Sequence, residues 1–160
     1  MKKKNDFDAT YKKYIDTLYK IAFVYLVNDE DVEDALQDVF ISYIYKSPEF
    51  KDEEHKKAWL IRTTQNKCIN NLKLSSRNNI CLDDLQIPAQ NSNTDLKIDV
   101  LKKILSLPPK YKTVIILYYY NDYSVEEIAK TLKISLSAVK MRLKRSREIL
   151  KIELEDYTNE

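Results

Sequence analysis

The stretch from Ser124 to Leu150, SVEEIAKTLKISLSAVKMRLKRSREIL, leaves a folding chain few options. Its apolar residues recur at helical spacing on both sides of Lys133-Ile134-Ser135, an interruption too short for anything but a tight turn. Ser124 suits a helix N-cap, and Glu127 completes an S-x-x-E capping box. Ile128, Ala129 and Leu132 then form the inner stripe of a short helix. Small Ala129 stands where two crossing helices need their backbones close. Ser135 offers a second N-cap, and Leu136, Val139, Leu143 and Leu150 share one sector of the helix that follows. The spacing predicts a helix-turn-helix.

The outer side of the second helix suggests its use. Ser137, Ala138, Met141, Lys144 and Arg145 lie opposite the apolar sector, with Lys140 and Arg142 on the flanks. Its first exposed turn is small and polar and can approach base edges. The cations around it can reach phosphates, and arginine can also reach guanine edges. A solvated face on a core helix would carry the same charges. The capped turn and the preceding short helix make a DNA-reading helix the better account.

Composition narrows the rest. The 160 residues contain no glycine, which excludes Walker-type loops, dinucleotide fingerprints and glycine-bearing nucleophile elbows together. One histidine, His55 in the polar run Lys51 to Lys57 and expected in solvent, and two separated cysteines, Cys68 and Cys81, form no zinc constellation and no disulfide framework. The chain is expected to be no enzyme and to need no cofactor or metal. A net charge of +2 is too small to argue for nucleic acid, but its distribution is informative. Asp29 to Asp38 is acidic and Lys140 to Lys151 is basic. No apolar run approaches membrane-spanning length, and the lysines after Met1 lead into no signal-peptide core. A cytoplasmic protein with no membrane insertion is expected.

Upstream, the periodicity predicts a helix over residues 7–27, with Phe7, Tyr11, Tyr14, Ile15, Leu18, Ala22, Tyr25 and Leu26 inward. Asn28 should cap the next helix, whose first turn is acidic as the helix dipole favours. Val32, Ala35, Leu36, Val39, Phe40 and Tyr43 form its inner face. Glu33, Asp34, Gln37, Asp38 and Ile41 remain outside, and an isoleucine among acids hints at a protein partner. After Ser47-Pro48, Lys51 to Lys57 reads as a connection or helix start, and Ala58 begins a helix, AWLIRTTQNKCINNLK. Trp59, Leu60, Cys68, Ile69 and Leu72 anchor it. Arg62, Thr63, Asn66, Lys67, Asn70, Asn71 and Lys73 offer hydrogen-bonding groups and no acid. That surface suits unpaired bases and phosphates, and equally a merely hydrophilic helix.

Periodicity fades from Ser75 to about Thr94, which reads as a linker. It resumes at Leu96, Val100, Leu101, Ile104 and Leu105 and stops at Pro108-Pro109, where Pro109 fits the first turn of a new helix. That helix runs through Val114, Ile115, Leu117 and Tyr118, and Tyr118 to Tyr120 should support the reading helices. The expected architecture is all-α: two small helical domains, 1–75 and 96–160, joined by a flexible linker over 76–95, the second domain carrying the helix-turn-helix.

The order of these parts resembles a known family. DVEDALQDVFISYI, then AWLIRTTQNKCINNL, then LPPKYKTVIILYYYNDYSVEEIAKTLKISLSAVKMRLKRSRE is similar to a bacterial extracytoplasmic-function (ECF) RNA polymerase sigma factor of the two-domain type, with only regions 2 and 4. The last block alone would also fit a helix-turn-helix regulator that binds an operator without acting as a polymerase subunit. The acidic and tryptophan helices upstream, in that order, separate the two. The resemblance implies a protein that binds core RNA polymerase through its clamp coiled coil and flap. It further implies recognition of minus-ten and minus-thirty-five promoter elements, help in melting the DNA, and an anti-sigma factor as a further partner.

On matching residues, the resemblance assigns Glu33, Asp34, Gln37, Asp38 and Ile41 to core polymerase. Arg62, Asn66, Lys67, Asn70, Asn71 and Lys73 would serve the minus-ten element, with Asn66 holding a flipped-out base. Ser137, Ala138, Lys140, Met141, Arg142, Lys144 and Arg145 would serve the minus-thirty-five element. The chain departs from the family pattern at Thr63-Thr64, Asn70-Asn71 and Ser137, and Lys133 fills a turn position that favours residues tolerating a left-handed backbone. Two boxes about one and a half turns apart lie on the order of 50 Å from each other at ~34 Å per turn. About twenty linker residues at up to ~3.3 Å each can span that.

Overall fold

The computed structural model describes residues 2–75 and 102–150, with side chains from Asp6 to Leu74 and from Lys102 to Leu150. The chain divides into two compact units, Met1–Asn79 and Ile80–Glu160. Both are helical, and no strand occurs among the described residues. The expected linker over 76–95, the helical pattern at Leu96, Val100 and Leu101, and Cys81 lie outside the described residues.

The first unit packs three helices: α1 (Lys2–Leu26), α2 (Asp29–Lys46) and α3 (Glu53–Ser75). Leu18, Ile21 and Val24 of α1, Val32 and Val39 of α2, and Leu60 and Ile61 of α3 are almost wholly removed from solvent. Each such side chain contributes about 1.5–3 kcal/mol. That outweighs an exposed ion pair at about 0–1 kcal/mol. The expected inner face of α2 is buried throughout. In α1 the expectation holds for Tyr14, Leu18, Ala22, Tyr25 and Leu26, but Tyr11 is 43% exposed and Phe7 and Ile15 are half-buried. The buried seam instead takes in Ile21 and Val24, because α1 packs against both α2 and α3.

Helix ends follow local chemistry. α1 stops at Leu26 because Val27 adopts a left-handed backbone, φ 67°, an unusual state for a β-branched residue. Asn28 Oδ1 accepts from the Glu30 N–H at 2.8 Å and caps α2 above its acidic first turn. Tyr19 donates to Asp29 across the junction. That hydrogen bond, then burial, pushes the Tyr19 phenol up to about 12. α3 begins five residues before Ala58, since Asp52 Oδ1 accepts from the His55 N–H at 2.7 Å and starts the helix within the polar run.

A polar clasp crosses all three helices. Lys56 Nζ lies 3.0 Å from Asp6 Oδ1 and 3.5 Å from Glu53 Oε1, with its side chain only 12% exposed. Tyr43 donates to Asp6, and Tyr14 donates to Glu53 Oε2 at 2.6 Å. The Tyr43 hydroxyl and then Lys56 hold the Asp6 carboxyl low, and Tyr14 chiefly does the same for Glu53. Burial alone would lower Lys56, but its partners Asp6, Tyr43 and Glu53 raise it.

In the second unit, helical backbone over 102–105 leads to α4 (Pro109–Ile115), with Pro109 in its first turn. α4 widens into a π-turn over Ile116–Tyr120, a form common at functional sites and invisible in the sequence spacing. Asp122, at φ 58°, breaks the chain before α5 (Val125–Leu132). Ser124 Oγ accepts from the Glu127 N–H at 3.1 Å, as the capping box predicts. Lys133 takes the left-handed backbone, φ 55° and ψ 46°, and the Ile134 N–H closes the helix end on the Ala129 carbonyl. Ser135 Oγ accepts from the Ala138 N–H at 3.0 Å and starts α6 (Leu136–Leu150). Ile104, Val114, Ile115, Leu117, Ile128, Val139 and Leu143 form the core. Leu136, expected in that core, is 38% exposed, because it opens α6 ahead of the turns packed under α4 and α5.

Candidate functional site

Three surfaces carry the residues singled out by the sequence. On α6, Ser137, Lys140, Met141, Lys144 and Arg145 are exposed, and Ala138 and Arg142 are half-buried. The arginines point back toward α4. Arg142 Nη1 donates to the Lys110 carbonyl at 3.4 Å. Arg145, beside the Tyr111 hydroxyl, holds that phenol below its ordinary value. Arg147, which the sequence reading passed over, donates from Nε to the Tyr119 hydroxyl at 2.7 Å and lies 5.9 Å from the ring centres of Tyr118 and Tyr119. The tyrosines therefore support α6. Guanidinium groups border the face, and Ser137, Met141 and Lys144 occupy its centre.

On α3, 3.6 residues per turn puts Trp59, Arg62, Asn66, Asn70 and Lys73 on one ridge. Asn66, Asn70 and Lys73 are exposed and Trp59 and Arg62 half-buried. Burial lowers the Arg62 guanidinium from its ordinary value. Lys67 and Asn71 sit roughly a quarter of a turn or more to the side, half-buried. Thr64 faces inward and returns its hydroxyl to the Leu60 carbonyl at 2.8 Å. Trp59 packs edge-on against Phe50 at 5.8 Å, and Phe50 stacks on Tyr43 at 6.1 Å. His55, expected in solvent, is half-buried instead: it meets Phe50 at 5.3 Å, and its Nδ1 accepts from the Lys51 N–H at 3.2 Å. These aromatic contacts hold the segment between α2 and α3 beside the ridge.

On α2, Glu33, Asp34, Gln37, Asp38 and Ile41 are all exposed, Ile41 by 52%. Glu33, Gln37 and Ile41 border a groove of about 530 Å³ between α1 and α2. Phe7, Tyr11, Ile15 and Tyr19 line one side. Leu36, Phe40, Ile41 and Ile44, with Glu33 and Gln37, line the other. Tyr11 and Phe40 rings meet at 5.0 Å. Periodicity places Phe7, Tyr11 and Ile15 of this wall in the core and does not single out Tyr19. The signal for the wall was the four-residue step Phe7-Tyr11-Ile15, a second apolar stripe beside the buried one. Such an apolar groove, with Glu33 at its edge and Asp34 and Asp38 exposed on the same helix, can receive an apolar helix edge carrying basic neighbours. Among the described residues, no cluster of three or more His, Cys, Asp or Glu could hold a metal ion, and no helix is long and apolar enough to cross a membrane.

Comparisons with known proteins bear on both units. A family model described as Sigma-70 region 2 matches residues 10–78, and one described as Sigma-70, region 4 matches residues 97–150. The chain is 29% identical to ECF RNA polymerase sigma factor SigW of Bacillus subtilis (strain 168), covering 96% of this chain and 93% of the relative. It is 31% identical to RNA polymerase sigma factor SigZ of the same organism, covering 81% and 76%. The fold is similar to the sigma factor RpoE of Bartonella quintana, solved in complex with the anti-sigma factor NepR. That match has a TM-score of 0.70 at 23% identity and covers 92% of this chain and 98% of that one.

Proposed function

The chain belongs to the ECF RNA polymerase sigma factors, and from that membership we propose how its units share the work of directing promoter-specific transcription initiation. Residues 1–75 act as the region 2 domain, which binds core polymerase and the minus-ten element. Residues 76–95 act as the linker, and residues 96–160 as the region 4 domain for the minus-thirty-five element. Core polymerase, promoter DNA and an anti-sigma factor are the partners, and the work takes place in the cytoplasm. The chain supplies no catalytic group of its own, because the chemistry of RNA synthesis belongs to the polymerase it steers.

Each surface has a role in this reading. Glu33, Asp34, Gln37, Asp38 and Ile41, with the neighbouring groove, engage the clamp of core polymerase. Arg62, Asn66, Asn70 and Lys73 track the displaced strand at the minus-ten element, and Lys67 and Asn71 serve its edge. Asn66 offers both donors and acceptors to a base that has left the stack. Holding that base shifts the closed–open equilibrium toward open DNA. Ser137, Ala138, Lys140, Met141, Arg142, Lys144 and Arg145 meet the minus-thirty-five duplex. The observation that carries the reading is the pairing of the two region matches, upstream and downstream, on one chain.

Run-off transcription with purified core polymerase tests it. Added chain should produce a discrete transcript from promoters that core alone ignores. Failure to initiate, together with binding of a palindromic operator as a dimer without polymerase, would overturn it.

A further inference from the structure

Resting on the reading of α6 as the minus-thirty-five helix, we infer that Met141 reads the C5-methyl group of a thymine in that element. The side chain is 51% exposed at the middle of the face opposite Val139, Leu143 and Leu150. One turn before it stands Ser137, small enough to let the helix approach base edges. One turn beyond stand Lys144 and Arg145, and Arg145 is drawn toward the Tyr111 hydroxyl. Glu148, two turns beyond Met141 on the same face, would repel phosphate, so the reading portion is confined to the first turns of α6.

The chemistry of the thioether then limits what it can read. It has no donor and is a weak acceptor, so it cannot make the paired hydrogen bonds that arginine makes to guanine or asparagine to adenine. The apolar group that a base edge offers in the major groove is the thymine methyl. An unbranched, polarizable side chain adapts to such a contact without demanding one geometry.

The test uses the full chain bound to core polymerase and an upstream element selected by that holoenzyme from a randomised DNA library. Each thymine is replaced singly by deoxyuridine, which removes only the methyl, and complex formation is measured at fixed salt. One replacement should weaken the wild-type complex about fourfold, the effect of losing one buried methyl. Met141→Ala and Met141→Ser should bind the thymine and deoxyuridine versions equally. Sensitivity that persists in both variants, or that is missing from the wild type, overturns the inference. Lys144→Ala run in parallel locates such a failure. If it weakens binding to every sequence, only the thymine contact is wrong. If it changes nothing, the reading of α6 itself is wrong.

Discussion

The two units differ in how far apart their working parts lie along the chain. In the second, Ser124, Lys133 and Ser135 set two caps and a turn within neighbouring residues, and α6 follows directly. In the first, the groove needs α1 beside α2, and the clasp needs Asp6, Tyr43 and Lys56 brought together from three helices. On the proposed roles, the contrast teaches that a DNA-reading module can be specified locally, whereas a surface for a large protein partner is a product of packing. It also predicts that lesions in the two units separate cleanly by assay.

The largest expected effect tests that separation within the first unit. Asn66→Ala should slow promoter opening roughly tenfold or more, in line with the ~1–3 kcal/mol cost of leaving a desolvated base edge without its hydrogen-bond partner, while core binding is unchanged. A pre-melted bubble should restore transcription. If the bubble rescues nothing, Asn66 has another role. Next, Ile41→Glu should weaken core polymerase binding about tenfold, or ~1.4 kcal/mol, and leave promoter preference intact. An equal shift in promoter preference would show that the α2 face does not serve core polymerase alone. In the second unit, Arg145→Ala should weaken minus-thirty-five binding about fivefold, near ~1 kcal/mol, with core affinity unchanged in a binding titration. Equal loss of both would deny the units separate roles.

Legibility followed the same divide. The caps at Asn28, Ser124 and Ser135 follow from sequence, because each depends on residues a few positions away, whereas the left-handed Lys133 follows only from the resemblance to the family. The outer face of α2 was expected too, since its period is regular. Periodicity could not decide which of two apolar stripes on α1 would be buried, so Tyr11 was misassigned and the groove was missed. It could not foresee that Arg142 and Arg145 would turn toward Lys110 and Tyr111, because those partners lie on another helix. Nor could it find Asp6–Lys56, a pairing of residues fifty positions apart.

Two smaller effects sharpen the contrast in stability. Lys133→Gly should raise the thermal stability of the second unit by about 1 kcal/mol, because glycine adopts the left-handed backbone without the Cβ penalty. A lower melting temperature would contradict it. In the first unit, Asp6 and Glu53 sit below their ordinary values of 3.8 and 4.5. Groups depressed on folding stabilise fully above those values and lose that contribution as pH falls through the lowered ones. Acid titration followed by Trp59 fluorescence should therefore show the first unit weakening below about pH 4.5. Tyr43→Phe, which removes the main hydrogen bond to Asp6, should make that dependence shallower. An unchanged acid limb would remove the clasp from the account.

The affinity of the isolated Met1–Asn79 unit for core RNA polymerase tests the division of labour most directly. That unit should bind saturably without promoter DNA, and Ile41→Glu should weaken the binding. A folded Met1–Asn79 unit with no measurable affinity, beside a full chain that binds, would contradict that division of labour.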